Sequence, residues 1–283
     1  MNSTLVVAAA IVSLAAITAC SSTSKTTAPK AAAARVLPTS LEEAVASTSY
    51  RTTENTARDK YRHPVETLNF FGIKPSMTVV EISPGNGWYA EILAPYLAPA
   101  GHYIAALPVP SPENKMATDM YTKVVDWLKE RPELMKSSTL TAFSPPSKVE
   151  VAPEGSADMV LTFRNVHNWM SQGAEQAAFN GFFKALKHGG TLGVVEHRAN
   201  GKTKHDSKAK SGYVSEKDVM KIAKKAGFKF EASSELNANS KDTKNYPEGV
   251  WTLPPTLRLK EKDQAKYLEI GESDRMTLKF VKP

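Results

Sequence analysis

The chain has 283 residues, 41% of them hydrophobic, a formal net charge of +7 and one cysteine. The apolar content supports a sizeable core, and the length suits one large α/β domain with an insertion. A lone cysteine excludes a disulfide framework and a thiolate metal cluster.

Leu5 to Ala19 is apolar and rich in small residues, short for a membrane span and matched to the h-region of a secretory signal. It ends in Ile17-Thr18-Ala19-Cys20, which resembles a bacterial lipobox with Cys20 as the lipidated residue. The alternative is an ordinary signal peptide that happens to contain a cysteine. Ser21 rather than aspartate follows, which by resemblance to Gram-negative lipoproteins favours the outer membrane, facing the periplasm. Ser21 to Arg35 is a Ser/Thr/Ala/Lys stretch that cannot bury a core and reads as a tether, with the domain proper beginning at Leu41.

Within the domain, helical patterning is expected over Leu41–Ala46 and over Asn55–Phe71, the latter split by Pro64. Strands are expected over Met77–Ile82, His102–Leu107, Leu140–Phe143, Ala157–Phe163, Thr191–Glu196, Phe228–Ser233 and Met276–Val281. Helices are expected over Tyr89–Leu97, Glu113–Lys129 and Ala174–Leu186, the last closed by His188-Gly189-Gly190. A further helix runs from Ser215, with Asp218 as a capping-box-like partner, to Ala226-Gly227. Strands alternating with helices predict a doubly wound, mostly parallel sheet. The lysines between Lys202 and Lys229 read as a solvated face, or as a surface for anionic headgroups or an acidic substrate. The stretch carries no nucleic-acid motif.

The most telling segment is Val79-Val80-Glu81-Ile82-Ser83-Pro84-Gly85-Asn86-Gly87-Trp88-Tyr89. A β-branched strand ends beside an acid and turns through two glycines into a helix, as where open α/β sheets receive nucleotide-like ligands. Gly85 permits the tight turn and Gly87 removes a Cβ that would block close approach. A plain strand–turn–helix corner without a ligand is the other reading.

With Arg164-Asn165-Val166-His167-Asn168-Trp169-Met170, Leu186-Lys187-His188-Gly189-Gly190-Thr191-Leu192, Glu196-His197-Arg198, Ser211-Gly212-Tyr213 and Gly249-Val250-Trp251-Thr252-Leu253-Pro254-Pro255, this loop makes the chain resemble a class I S-adenosylmethionine-dependent methyltransferase. More narrowly it resembles a bacterial group of exported or lipid-anchored predicted methyltransferases. The resemblance implies a Rossmann-like, seven-stranded sheet whose last strand inserts antiparallel between neighbours, and S-adenosylmethionine across the strand ends. It places Glu81, Ser83, Gly85 and Gly87 at the methionine and ribose end, joined by Asn86 and Asn165, and gives Asp158 a turn-fixing role. One position departs from the family: the acid that usually ends strand two is replaced by Leu107-Pro108, neither of which can accept a ribose hydrogen bond.

Strands four and five deliver the candidate chemistry. His167 is the first choice of general base and His197 the second, with Glu196 and Tyr213 beside them. Arg164 and Arg198 are expected to clamp a carboxylate or phosphate, and Trp169, with Trp88 and Trp251, to line a pocket or pack the core. Structural hydrogen bonds for the histidines, a Glu196–Arg198 ion pair, and a divalent-metal site of His167, Glu196 and His197 are the competing readings. Three functions follow: methyl transfer to a small molecule, an exported ligand-binding lipoprotein that keeps the fold without methyl transfer, or a different enzyme on the same scaffold that uses His167 or Glu196 without this cofactor.

Overall fold

The computed structural model describes residues 35–201 and 206–283. The apolar leader, Cys20, the tether up to residue 34, Lys202 and Lys204 lie outside the described residues. No helix among the described residues is long and apolar enough to cross a membrane.

Seven strands form the sheet: β1 Thr78–Ile82, β2 His102–Leu107, β3 Ser138–Ala142, β4 Ala157–Phe163, β5 Leu186–His197, β6 Lys229–Ser234 and β7 Arg275–Val281. Their spatial order is β3-β2-β1-β4-β5-β7-β6. The first five strands pair in parallel, whereas β7 lies antiparallel between β5 and β6. The expected seven-stranded architecture is thus the observed one. Helices cover both faces, so the central strands are apolar almost throughout, while the edge strands β3 and β6 are largely exposed.

Alternation along β1 sends Val80 and Ile82 into one core layer, with Phe179, Phe182 and Leu192. Val79 and Glu81 face the other, where Tyr103, Leu93 and Leu161 pack. Glu81 is therefore forced into a buried position by its place in the strand. Val79 pairs with Tyr103 in the β1–β2 ladder, which puts the Tyr103 phenol diagonally across from Glu81 on the same face. Its hydroxyl donates to the carboxyl at 2.7 Å.

Several local expectations need correction. The Asn55–Phe71 segment is three short helices, Thr53–Thr56, Asp59–Arg62 and Pro64–Phe71. His63 adopts φ 41° between the last two, and Pro64 starts the third, where its missing N–H is harmless. Gly189 and Gly190 do not close the preceding helix. Leu186 is already extended and paired with Ala157, and the glycines exchange backbone hydrogen bonds with Lys282. Ser215 sits at the N-cap of the helix Glu216–Ala226 but makes no side-chain capping bond. That helix buries Val219, Ile222 and Ala223 and exposes Lys217, Lys221, Lys224 and Lys225. Helices over Val166–Gln172 and Gln264–Ile270 were not expected from the pattern.

Candidate active site

The strand order reverses between β1 and β4, and a cavity of about 1100 Å³ opens there beyond their carboxyl ends. The glycine loop forms one wall. Ser83 takes φ 47° and donates its N–H to the Ala106 carbonyl at 2.8 Å, so the chain leaves the sheet in a left-handed bend. Gly85 follows at φ 65°, and a Cβ built on it meets no atom within 4 Å. The space above the turn is open and unfilled by the protein's own side chains. Gly87 at φ 83° closes the turn, its N–H donating to the Pro84 carbonyl at 3.1 Å. Trp88 pins the loop by donating its indole N–H to the Asn55 carbonyl at 2.8 Å.

Of the residues singled out in sequence, Glu81, Ser83, Gly85, Asn86, Trp88, Arg164, Asn165, His167, His197 and Trp251 line this cavity. Burial raises the Glu81 carboxyl to about 8, with the Tyr103 hydroxyl pulling it partly back. Glu81 is thus held mainly neutral at neutral pH. Asn165 is committed to the scaffold: its amide donates to the Ile82 carbonyl at 2.9 Å and ties the ends of β1 and β4 together.

Glu196 does not reach the cavity. It is fully buried behind the histidines, where one carboxylate oxygen accepts from His167 Nδ1 at 3.0 Å and from the His197 backbone N–H at 2.8 Å. The other oxygen accepts the His167 backbone N–H at 3.2 Å. A carboxylate at Nδ1 selects the tautomer protonated there and leaves Nε2 for the cavity. The His167 and His197 rings lie 5.4 Å apart, and His197 Nδ1 meets the Ser273 hydroxyl at 2.5 Å. Burial, and then the interaction with the neighbouring His167 ring and the guanidiniums of Arg164, Arg275 and Arg62, hold His197 well below the usual histidine range, so it is neutral. One donor atom from each of His167, Glu196 and His197 lies within 4.8 Å of the others. The Glu196 oxygens are, however, already occupied by three N–H groups, an arrangement that orients an imidazole.

Three expected site residues are placed elsewhere. Trp169 packs edge-on against Phe143 and Phe182 in the core, because the Val166–Gln172 helix turns it away from the cavity. Arg198, one residue beyond β5, forms bidentate contacts with Asp274 and Glu235 and a further bond to Glu216, in a separate crevice. Its partner is thus not Glu196. Tyr213 is buried, donates to Asp242 at 3.0 Å and sits behind His197 at a ring distance of 6.3 Å. Asp158 lies at the opposite end of the sheet, where it accepts the Thr78 N–H at 2.8 Å and meets Lys187 at 2.6 Å.

Two groups of cavity residues escaped the sequence reading. The helix Lys115–Lys129 forms a wall that carries Asp119 and Asp126, and its Lys123 donates to Asn86 at 3.1 Å. These acids stand on the element that follows the acid-free end of β2. Arg58, Arg62 and Glu272 also line the cavity, and Arg58, Arg62 and, from outside the lining, Arg275 converge on Glu272 at 2.7, 3.2 and 3.1 Å. Burial pushes the Glu272 carboxyl up, but the guanidiniums of Arg62, Arg275, Arg58 and Arg164 outweigh it and hold it at about 2.

No family model and no curated protein matches the sequence. Solved structures do match. A SAM-dependent methyltransferase from Aquifex aeolicus aligns at 15% identity over 80% of this chain and 93% of that one, with a TM-score of 0.52. The (4+2)-cyclase SpnF aligns at 14% identity over 78% and 80% of the two chains, also at 0.52. Phosphoethanolamine N-methyltransferase 2 from Haemonchus contortus, solved with S-adenosyl-L-methionine, aligns at 15% identity over 86% of this chain and 60% of that one, at 0.51. The fold is therefore that of class I SAM-dependent methyltransferases, and the cyclase shows that one fold carries more than one kind of chemistry.

Proposed function

We propose that the chain is an S-adenosylmethionine-dependent methyltransferase of the cell envelope, acting on a small molecule. The observation that carries this reading is the open space above Gly85 in the same cavity as the Glu196-oriented face of His167. The cavity residues fit the cofactor. Ser83, Gly85, Asn86 and the neutral Glu81 would hold its methionine and ribose side, and Asp119 or Asp126 would supply the hydroxyl acceptor that Leu107 and Pro108 cannot. When bound, the cofactor supplies a methyl group on a positively charged sulfur.

The chain's own task is then alignment, desolvation and removal of one proton. His167 Nε2 takes the proton of the nucleophilic group. Glu196 fixes the imidazole through Nδ1 and stabilises the imidazolium that results. His197, kept neutral and anchored on Ser273, donates or accepts a hydrogen bond without adding charge.

Location remains part of the proposal: the leader and Cys20 support a lipid-anchored protein of the outer membrane, facing the periplasm. The test is label transfer. Incubated with methyl-labelled S-adenosylmethionine and a small-molecule extract of the cell envelope, the wild-type chain moves label into the extract and His167→Ala does not. Cofactor binding by the folded wild type without any transfer would instead favour the exported binding protein.

A further inference from the structure

The acids on the Lys115–Lys129 wall are paired with their own lysines, Asp119 with Lys115 and Asp126 with Lys129, whereas the buried arginine cluster carries more positive charge than the acids beside it neutralise. Arg58, Arg62 and Arg275 share the carboxylate of Glu272, which acts on Arg164 without an ion-pair contact, and Glu196 is the other buried acid that acts on Arg164. Glu81, raised to about 8, contributes little negative charge at neutral pH. Even with both carboxylates counted, two guanidinium charges are left over. Buried charges are normally paired, because leaving one unpaired costs several kcal/mol.

The hydrogen bonding shows the same excess. Arg62 is 2% exposed, yet its Nη2 has no partner, and the buried Nη2 of Arg58 has none either. Arg164 lines the cavity, at φ 61°, with no ion-pair partner among the described residues. Arg62 is also held in place, with its guanidinium 4.6 Å from the centre of the Trp88 ring. Fixed, unfilled guanidinium forks match the planar oxygens of a carboxylate or a phosphate.

The proposed cofactor does not offset this excess. Its amino-acid group is a zwitterion and its sulfur is positive, so it adds one net positive charge to the cavity. We infer that Arg58, Arg62 and Arg164 form the recognition site for an oxyanion group, carboxylate or phosphate, on the acceptor substrate. The role of acceptor rests on the methyltransferase reading; the anion site itself does not. Arg164 begins the turn that carries His167, so an anion held there places the rest of the molecule beside the imidazole.

The test titrates the full chain with pyrophosphate and, separately, with malonate, each with and without saturating S-adenosylhomocysteine. At least one of the two dianions is expected to bind one-to-one in the presence of the nucleoside, and which one does distinguishes phosphate from carboxylate. In Arg164→Gln and in Arg58→Gln that affinity is expected to fall about tenfold or more, the scale of one lost charge-assisted contact, with S-adenosylhomocysteine affinity changed less than about threefold. Arg164→Gln removes no ion pair, so it reports on the site even if Arg58→Gln is poorly folded. Failure of both dianions to bind, or binding indifferent to Arg164→Gln, overturns the inference. So does competition by S-adenosylhomocysteine, which would make the cluster the cofactor's own carboxylate site. Arginine-dependent dianion binding in a chain that ignores S-adenosylhomocysteine would leave the anion site standing and remove the methyltransferase reading.

Discussion

Glu196 holds His167 from two directions, accepting Nδ1 at 3.0 Å and the backbone N–H at 3.2 Å from a position with no solvent exposure. The imidazole therefore cannot turn without breaking the hydrogen bond that selects its tautomer. The carboxylate comes from β5 and the histidine from the first turn of the helix after β4, so the pair also staples the two strand ends that frame the cavity.

Glu196→Gln tests this pairing. The amide must present its NH₂ to a donor, which forces the imidazole into the other tautomer or out of place. Turnover is expected to fall by about 10²-fold or more, the usual weight of a positioned general base. Titration with S-adenosylhomocysteine should show cofactor affinity unchanged, and a parallel loss of both would mark Glu196 as a scaffold residue.

Glu81 makes stability depend on pH. Its folded-state carboxyl sits near 8 against an ordinary 4.5, so between those values the folded chain binds more protons than the unfolded one. Stability therefore falls as pH rises through that window, and the full cost is reached above about pH 8. Thermal melts of Glu81→Gln should lack this contribution, gaining on the order of a few kcal/mol relative to wild type at pH 9 compared with pH 5.

Glu272 acts in the opposite sense. Its carboxyl is held at about 2, so it contributes stability that is present above the ordinary value of 4.5 and is lost as pH falls towards 2. Glu272→Gln leaves Arg58, Arg62 and Arg275 without their shared acid and should destabilise the domain by about 3–5 kcal/mol at neutral pH. Chemical denaturation at pH 7 measures this, and a neutral result would mean that the cluster is not held as an ion network.

Gly85→Ala separates fold from ligand binding. The added Cβ meets no protein atom, so the expected structural cost is the left-handed φ alone, about 1–2 kcal/mol. The same carbon enters the space assigned to the cofactor, so S-adenosylhomocysteine affinity should drop about tenfold or more in a chain that still folds. Undiminished affinity would move the ligand away from the loop.

Membrane attachment through Cys20 is checked by growth with radioactive palmitate. The wild-type chain is expected to carry label and Cys20→Ser none. An unlabelled wild type would return the leader to an ordinary signal.

Much of the fold was legible because burial writes itself into local pattern. His102–Leu107 and Ala157–Phe163 are apolar runs bounded by turn residues, and both strands have those bounds in the structure. The loop from Glu81 to Gly87 was equally readable, since strand, glycines and helix are contiguous. The arginine site was not. Arg58 and Arg62 lie in what reads as one amphipathic helix, and only the break at His63 and a carboxylate 210 residues further along the chain bring them into the cavity. Arg198 failed as a substrate clamp for the same reason: Asp274 and Glu235, distant in sequence, neutralise it. Trp169 went to the core because its turn is helical, which periodicity over so short a segment did not reveal.

The most direct measurement is calorimetric titration of the full, folded chain with S-adenosylhomocysteine. Saturable one-to-one binding that weakens in Gly85→Ala is the predicted result. No heat of binding from either S-adenosylhomocysteine or S-adenosylmethionine, in protein that melts cooperatively, would contradict the assignment of this cavity.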